Sequence, residues 1–148
     1  TAQPADLPWP SVAAGRAESD EIVGRAGLVI TATSSPKPVV TSEQLLDDAI
    51  VLAVGAHTAD TRELHEDVLR GAQVIVEDIA AAKREAGDVV QAIQAGAIAP
   101  TELIPMRDVV RGEVALDPGR RVVFKTVGMP WEDLAVARAV AVKATNHG

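Results

Sequence analysis

Four short stretches of this chain carry side chains able to do chemistry: Thr33-Ser34-Ser35, Gly55-Ala56-His57, Glu77-Asp78 and Lys125-Thr126-Val127-Gly128. An imidazole such as that of His57 can move a proton near neutral pH, because its free pKa is roughly 6.5. Glu77 and Asp78 follow an apolar run, where a carboxylate can face a substrate. Lys125 looks like a Schiff-base lysine. Alternation from Phe124 instead turns it toward solvent or a carboxylate, and no catalytic role is expected of it. Glu85 and Asp88 form a carboxylate pair around Gly87, and Asp88 is expected to cap the helix that follows. His65 reads as a face residue of a helix and His147 as a terminal one, so the three histidines are too scattered for a metal cluster, and no metal is expected. The chain has no cysteine, which excludes disulfides, thiolate zinc sites and cysteine nucleophiles.

The elements that position these residues follow from the apolar pattern. Leu28 to Ala32, Ile50 to Val54, Val74 to Val76 and Arg121 to Phe124 read as buried strands. Between and around them, helices are predicted over Ser19 to Arg25, after Ser42, over Thr61 to Leu69, Ile79 to Glu85, Val89 to Ala95 and Trp131 to Lys143. Residues 1–17 form an irregular Pro-rich segment, since Pro4, Pro8 and Pro10 remove backbone donors. Residues 18–148 form the ordered part. Short Val/Ile/Leu strands alternating with helices indicate an α/β fold with a parallel sheet. Ligands of such sheets sit beyond the carboxyl ends of the strands, which are the four stretches named above.

The chain has 148 residues, 47% of them hydrophobic and only 2% aromatic, with a formal net charge of −7. That length suits one domain with an aliphatic core. The acidic balance gives no basic surface for nucleic acid. No apolar run approaches the roughly 18 to 20 residues of a membrane span, and no basic-then-apolar leader opens residues 1–11. The expectation is a cytoplasmic protein whose start is missing, with neither nucleic acid nor membrane as partner.

Val29-Ile30-Thr31-Ala32-Thr33-Ser34-Ser35, then Ala53-Val54-Gly55-Ala56-His57 through Arg62-Glu63-Leu64, then Glu85-Ala86-Gly87-Asp88, then Phe124-Lys125-Thr126-Val127-Gly128 with Glu132-Asp133-Leu134 come in a particular order. Together they resemble the ornithine cyclodeaminase/mu-crystallin family, from Glu18 to Lys143. The resemblance implies the C-terminal half of a Rossmann-like NAD(P)-binding domain, a partial parallel sheet with flanking helices and a C-terminal helix. It implies NAD or NADP as cofactor and an imine or 2-amino acid as substrate. Thr33, Val54, Gly55, Thr126 and Gly128 match positions of the cofactor site, and Glu77 is the expected substrate contact. His57 stands where cyclodeaminases carry an acid/base aspartate, and Thr61 where they carry a nearby lysine. Both departures turn the reading toward the reductase and dehydrogenase members, with His57 as proton donor.

The family's Gly-rich phosphate turn would precede residue 1, and no G-x-G-x-x-G run occurs in the sequence. Weak or undetectable dinucleotide binding is therefore expected of the chain alone. Two alternatives stay open beside the oxidoreductase: a truncated half-domain acting as a binding or assembly module, and a crystallin-like binder of a small ligand. Half of a doubly wound sheet exposes a strand edge and an apolar face, so a homodimer or larger assembly is expected.

Overall fold

The computed structural model describes residues 11–145. Pro4, Pro8, Pro10, Trp9 and His147 lie outside the described residues. Helix α1 (Ala17–Val23) precedes strand β1 (Leu28–Thr31), and β2 (Ile50–Ala53) follows a single 3-10 turn at Ser42–Gln44. Then come α2 (Glu66–Leu69), β3 (Gln73–Val76), α3 (Ile79–Glu85) and α4 (Gly87–Gln94). Strand β4 (Ile104–Pro105), helix α5 (Met106–Val110), strand β5 (Val122–Lys125) and helix α6 (Pro130–Thr145) complete the order.

The five strands form one sheet in the order β1-β2-β5-β3-β4, and every pairing is parallel. The register aligns Thr31, Ala53, Lys125 and Val76 in one row across four strands. All four carboxyl ends therefore open at one edge, and β5 brings its loop between those of β2 and β3. Side chains alternate across a strand. Val29, Val51, Val123 and Val74 thus face the same side as that row, and all are buried. They pack with Val68, Leu69, Ala82, Ala86, Val89 and Ala92 from α2, α3 and α4 into an aliphatic core. Each fully buried valine or leucine there contributes about 1.5–3 kcal/mol over its exposed state.

The opposite face is open at the β1 side: Leu28, Ile30 and Ile50 are 53%, 60% and 46% exposed. Parallel sheets are ordinarily covered on both faces. Among the described residues the expected uncovered apolar face and free strand edge are present. Helix α6 is largely exposed, with Trp131, Leu134, Val136 and Val140 each more than half accessible. Among the described residues no helix is long and apolar enough to cross a membrane.

The helix expected over Thr61 to Leu69 is confined to Glu66–Leu69. Its first half is used otherwise: the Glu63 carbonyl accepts from Val39 and Val40 N–H, Leu64 bridges to Val40, and the Glu63 and Leu64 N–H groups go to Asp88. Backbone groups spent on distant partners cannot close helical turns, so the helix starts only after His65. Helix α4 begins at Gly87, two residues earlier than expected. Strand β4 and helix α5 were not foreseen. Strand β5 runs one residue further than expected, which brings Lys125 into the covered face.

Candidate functional site

Two carboxylates organise the carboxyl edge of the sheet. Glu63, fully buried in the segment after β2, receives three donors from the ends of β1 and β2. Its Oε1 accepts from Thr33 N–H at 2.5 Å, and its Oε2 from Gly55 N–H at 2.6 Å and the Thr31 hydroxyl at 3.0 Å. Glu77, at the end of β3, joins that strand to the loop after β5. Its Oε1 accepts from the Thr126 hydroxyl at 2.6 Å, and its Oε2 from Val127 and Gly128 N–H at 3.1 and 3.2 Å.

Between the two lies an ion pair. Lys125 and Asp88 have no exposed side-chain surface, and Lys125 Nζ stands 3.5 Å from Asp88 Oδ2. Lys125 also donates to the Ala53 carbonyl at 3.1 Å. Asp88 Oδ1 accepts from the Glu63 and Leu64 N–H groups, each at 2.8 Å, while Oδ2 accepts no hydrogen bond. Asp88 thus caps the segment that carries Glu63. The expected cap on its own helix is absent, since that helix has no side-chain cap.

The charges respond to these surroundings in opposite ways. Burial works against ionised Glu63, but the hydrogen bonds from Thr33, Gly55 and Thr31 outweigh it and hold its carboxyl below the ordinary range. Burial pushes the Asp88 carboxyl up, and the Leu64 N–H, Lys125 and the Glu63 N–H offset only part of that. Burial likewise pushes the Lys125 ammonium down, against the pull of Asp88.

The residues picked out from sequence fall along this one edge. Thr33 is exposed, and its hydroxyl accepts from Ser35 N–H at 3.3 Å. Val54 is exposed, and its N–H donates to the Thr31 carbonyl. A Cβ on Gly55 would lie 2.0 Å from the Thr33 carbonyl oxygen and 2.6 Å from Glu63 Oε1. Glycine is required there by the protein's own packing, whatever lies on the other side. His57 is exposed, with Nδ1 3.0 Å from the Gly55 carbonyl oxygen. A carbonyl only accepts, so Nδ1 carries the proton and Nε2 is the free nitrogen of the neutral ring. Thr126 and Gly128 meet through Glu77 and through the Gly128 N–H on the Thr126 hydroxyl at 3.1 Å. Gly128 has a φ of +78°, a conformation that favours glycine. Both Glu77 oxygens are engaged by this loop.

Sequence reasoning missed the set Glu63, Asp88 and Lys125 as a unit. Their visible signals are that each falls in a stretch that carries the family resemblance, and that Lys125 is a charge next to Phe124 on an apolar strand. A concavity of about 600 Å³ opens at the start of α3, lined by Asp78, Ile79, Ala80, Lys83 and Arg84. Of the residues picked out from sequence it holds Asp78 alone. Among the described residues no group of His, Asp or Glu is arranged to hold a metal ion.

With this geometry established, the likeness to known proteins can be stated. Delta(1)-pyrroline-2-carboxylate reductase 2 of Burkholderia ambifaria is 35% identical over 121 residues, which cover 82% of this chain and 37% of that protein. Ketimine reductase mu-crystallin of Macropus fuliginosus is 35% identical over 120 residues, 81% of this chain and 36% of that protein. The structure of Delta(1)-pyrroline-2-carboxylate reductase of Thermococcus litoralis in complex with NADH and L-proline superposes with a TM-score of 0.82 at 25% identity. That match covers 88% of this chain and 41% of the other. The chain therefore spans less than half the length of these relatives. Residues 11–148 match the ornithine cyclodeaminase/mu-crystallin family, and the chain belongs to that family.

Proposed function

We propose that this chain is the nicotinamide-holding part of an NAD(P)-dependent oxidoreductase that transfers hydride to or from an imine or 2-amino acid. The observation that carries the reading is the edge where Glu63 and Glu77 bind four strand ends together. It leaves Thr33, Val54 and His57 exposed beside a closed Gly55 turn. The similar structure with NADH and L-proline supports it.

These residues fit the nicotinamide end of the cofactor. Gly55 presents bare main chain, and Thr33 and Thr126 supply hydroxyls. When bound, the nicotinamide supplies or accepts the hydride. Reduction of a carbon–nitrogen double bond also needs a proton on nitrogen; the imidazolium form of His57, with Nδ1–H on the Gly55 carbonyl, gives that proton from Nε2–H and returns to the neutral ring. Glu77 orders the 126–128 loop with both of its oxygens. The sequence holds no G-x-G-x-x-G run, so donors to the diphosphate are not supplied by that device.

Titration of NADH and NADPH into the chain, followed by cofactor fluorescence and by amide NMR, tests the proposal. Binding weaker than micromolar is expected, with shifts confined to the amides around Thr33, Val54, Gly55, His57 and Thr126. No shift at millimolar cofactor, or shifts centred elsewhere, overturns it. We also propose that copies associate as a dimer or larger assembly through the open face of Leu28, Ile30 and Ile50. Light scattering should give at least twice the chain mass. A monodisperse monomer counts against association.

A further inference from the structure

We infer that Glu63 is the positioning residue of this site: its carboxylate sets the spacing between the Thr33 loop and the Gly55 turn, and Asp88 holds it in place. The inference rests on the nicotinamide-site reading and adds a residue that does not itself need to touch cofactor or substrate.

The argument begins with donors. Thr33 N–H reaches one Glu63 oxygen and Gly55 N–H the other. Backbone N–H groups cannot turn round to become acceptors, so both positions of the side chain must be acceptors. Only an ionised carboxylate meets that condition. A glutamine of the same shape would set its NH₂ against one N–H or the other and lose that bond. The two N–H groups belong to the ends of neighbouring strands, so the lost bond releases one loop from the other. Gly55 is pressed on the same carboxylate, with no room for a Cβ between Glu63 Oε1 and the Thr33 backbone. The spacing is therefore fixed by contact as well as by hydrogen bonds.

Glu63 is in turn anchored from behind. Asp88 accepts its N–H and that of Leu64, and Lys125 holds Asp88 while donating to the Ala53 carbonyl at the end of β2. The same strand end is thus gripped through Gly55 in front and through Ala53 behind.

Glu77 supplies the contrast. Its two N–H donors, from Val127 and Gly128, share one oxygen, and the other oxygen meets the Thr126 hydroxyl. A hydroxyl can accept as well as donate. Glutamine can therefore replace Glu77 with its carbonyl toward the two N–H groups and its NH₂ toward Thr126.

Amide hydrogen exchange on the full chain tests the inference. In Glu63→Gln, Thr33 or Gly55 should exchange about tenfold to a hundredfold faster, while Val51, Val74 and Val123 keep their wild-type rates. In Glu77→Gln, Val127 and Gly128 should stay within about threefold of wild type. Wild-type rates at both Thr33 and Gly55 in Glu63→Gln overturn the inference, as does acceleration only in parallel with the core. If Glu63→Gln does not fold, acid titration of the wild-type chain decides. The other charged groups that act on Glu63 are Asp88 on α4 and Lys125 on β5, and Lys125 in turn feels Glu77 at the end of β3. Thr33 and Gly55 amide shifts that follow one shared midpoint uphold the inference. Separate midpoints, or no movement, overturn it. Freed amides in Glu63→Gln together with no cofactor-induced shifts in the wild type would uphold the positioning role and remove the nicotinamide reading.

Discussion

Lys125→Met is expected to lower the stability of this chain by about 3–5 kcal/mol, the cost of leaving one partner of a buried ion pair alone. The Ala53 carbonyl loses little, since it also accepts from Thr126 N–H at 3.2 Å. The loss falls on Asp88, whose Oδ2 has no hydrogen bond and faces only the Lys125 charge. The deficit should depend on pH with a definite sign. Burial raises the Asp88 pKa in the fold, and removal of the ammonium raises it further. A carboxyl whose folded pKa exceeds its unfolded value contributes most below the unfolded value and loses that contribution as pH rises through the folded one. The gap between variant and wild type should therefore widen from about pH 5 to about pH 8.

A second substitution separates charge from packing. Asp88→Asn keeps an oxygen for the Glu63 and Leu64 N–H groups and places a neutral NH₂ where Oδ2 stood. The double variant Lys125→Met with Asp88→Asn should recover at least half of the loss, because no unpaired ion remains. Urea midpoints at the two pH values give the answer. A pH-independent deficit, or no recovery in the double variant, would mean that lost methylene packing and not the stranded carboxylate explains the effect.

Gly87→Ala is expected to be nearly as damaging. A Cβ there would lie 1.7 Å from the Thr61 carbonyl oxygen and 2.5 Å from that of Thr58. Overpacked cores lose about 1–3 kcal/mol when side chains can give way. Here the obstacle is backbone, so about 3 kcal/mol or more is expected. The next residue along is Asp88, so a retreating α4 also withdraws the carboxylate from Glu63 and Leu64. Gly27→Ala is the control, since nothing lies within 4 Å of its Cβ position, and it should stay within about 0.5 kcal/mol of wild type. Equal urea midpoints for Gly87→Ala and wild type would show that the 58–61 loop does not seat against the start of α4.

What was legible in the sequence was what local pattern controls. The four strand runs are Val/Ile-rich and bounded by small or polar residues, and each appears within a residue or so of its expected place. Helix α3 matches because its signals are its own: Asp78 accepts from Ala81 N–H at 2.7 Å at one end, and Lys83 and Arg84 sit in the last turn. That the candidate loops share one edge followed from the same pattern, since strand ends place loops. The segment before α2 was misread because its backbone answers to Asp88 and to Val39 and Val40, which no window around Thr61 contains. Strand β4, two residues long, is too short to show a period. The buried charges were hidden for a related reason. A carboxylate in Thr61-Arg62-Glu63 or Glu85-Ala86-Gly87-Asp88 looks solvated by default. Only partners brought from β5, α4 and the ends of β1 and β2 make burial tolerable.

The strand order also bears on how the chain acquires this arrangement. Strand β5 lies between β2 and β3 yet is made after both, and β2 and β3 have no pairing with each other. Without β5, the pairings leave β1 with β2 and β3 with β4 as two ribbons that share no strand. Pairing so distant in sequence is slow, because the loop must close before the contacts form. Arrival of β5 joins the ribbons and delivers Lys125 to Asp88 in one event, so the latest in sequence of the five described strands is also the keystone of the sheet.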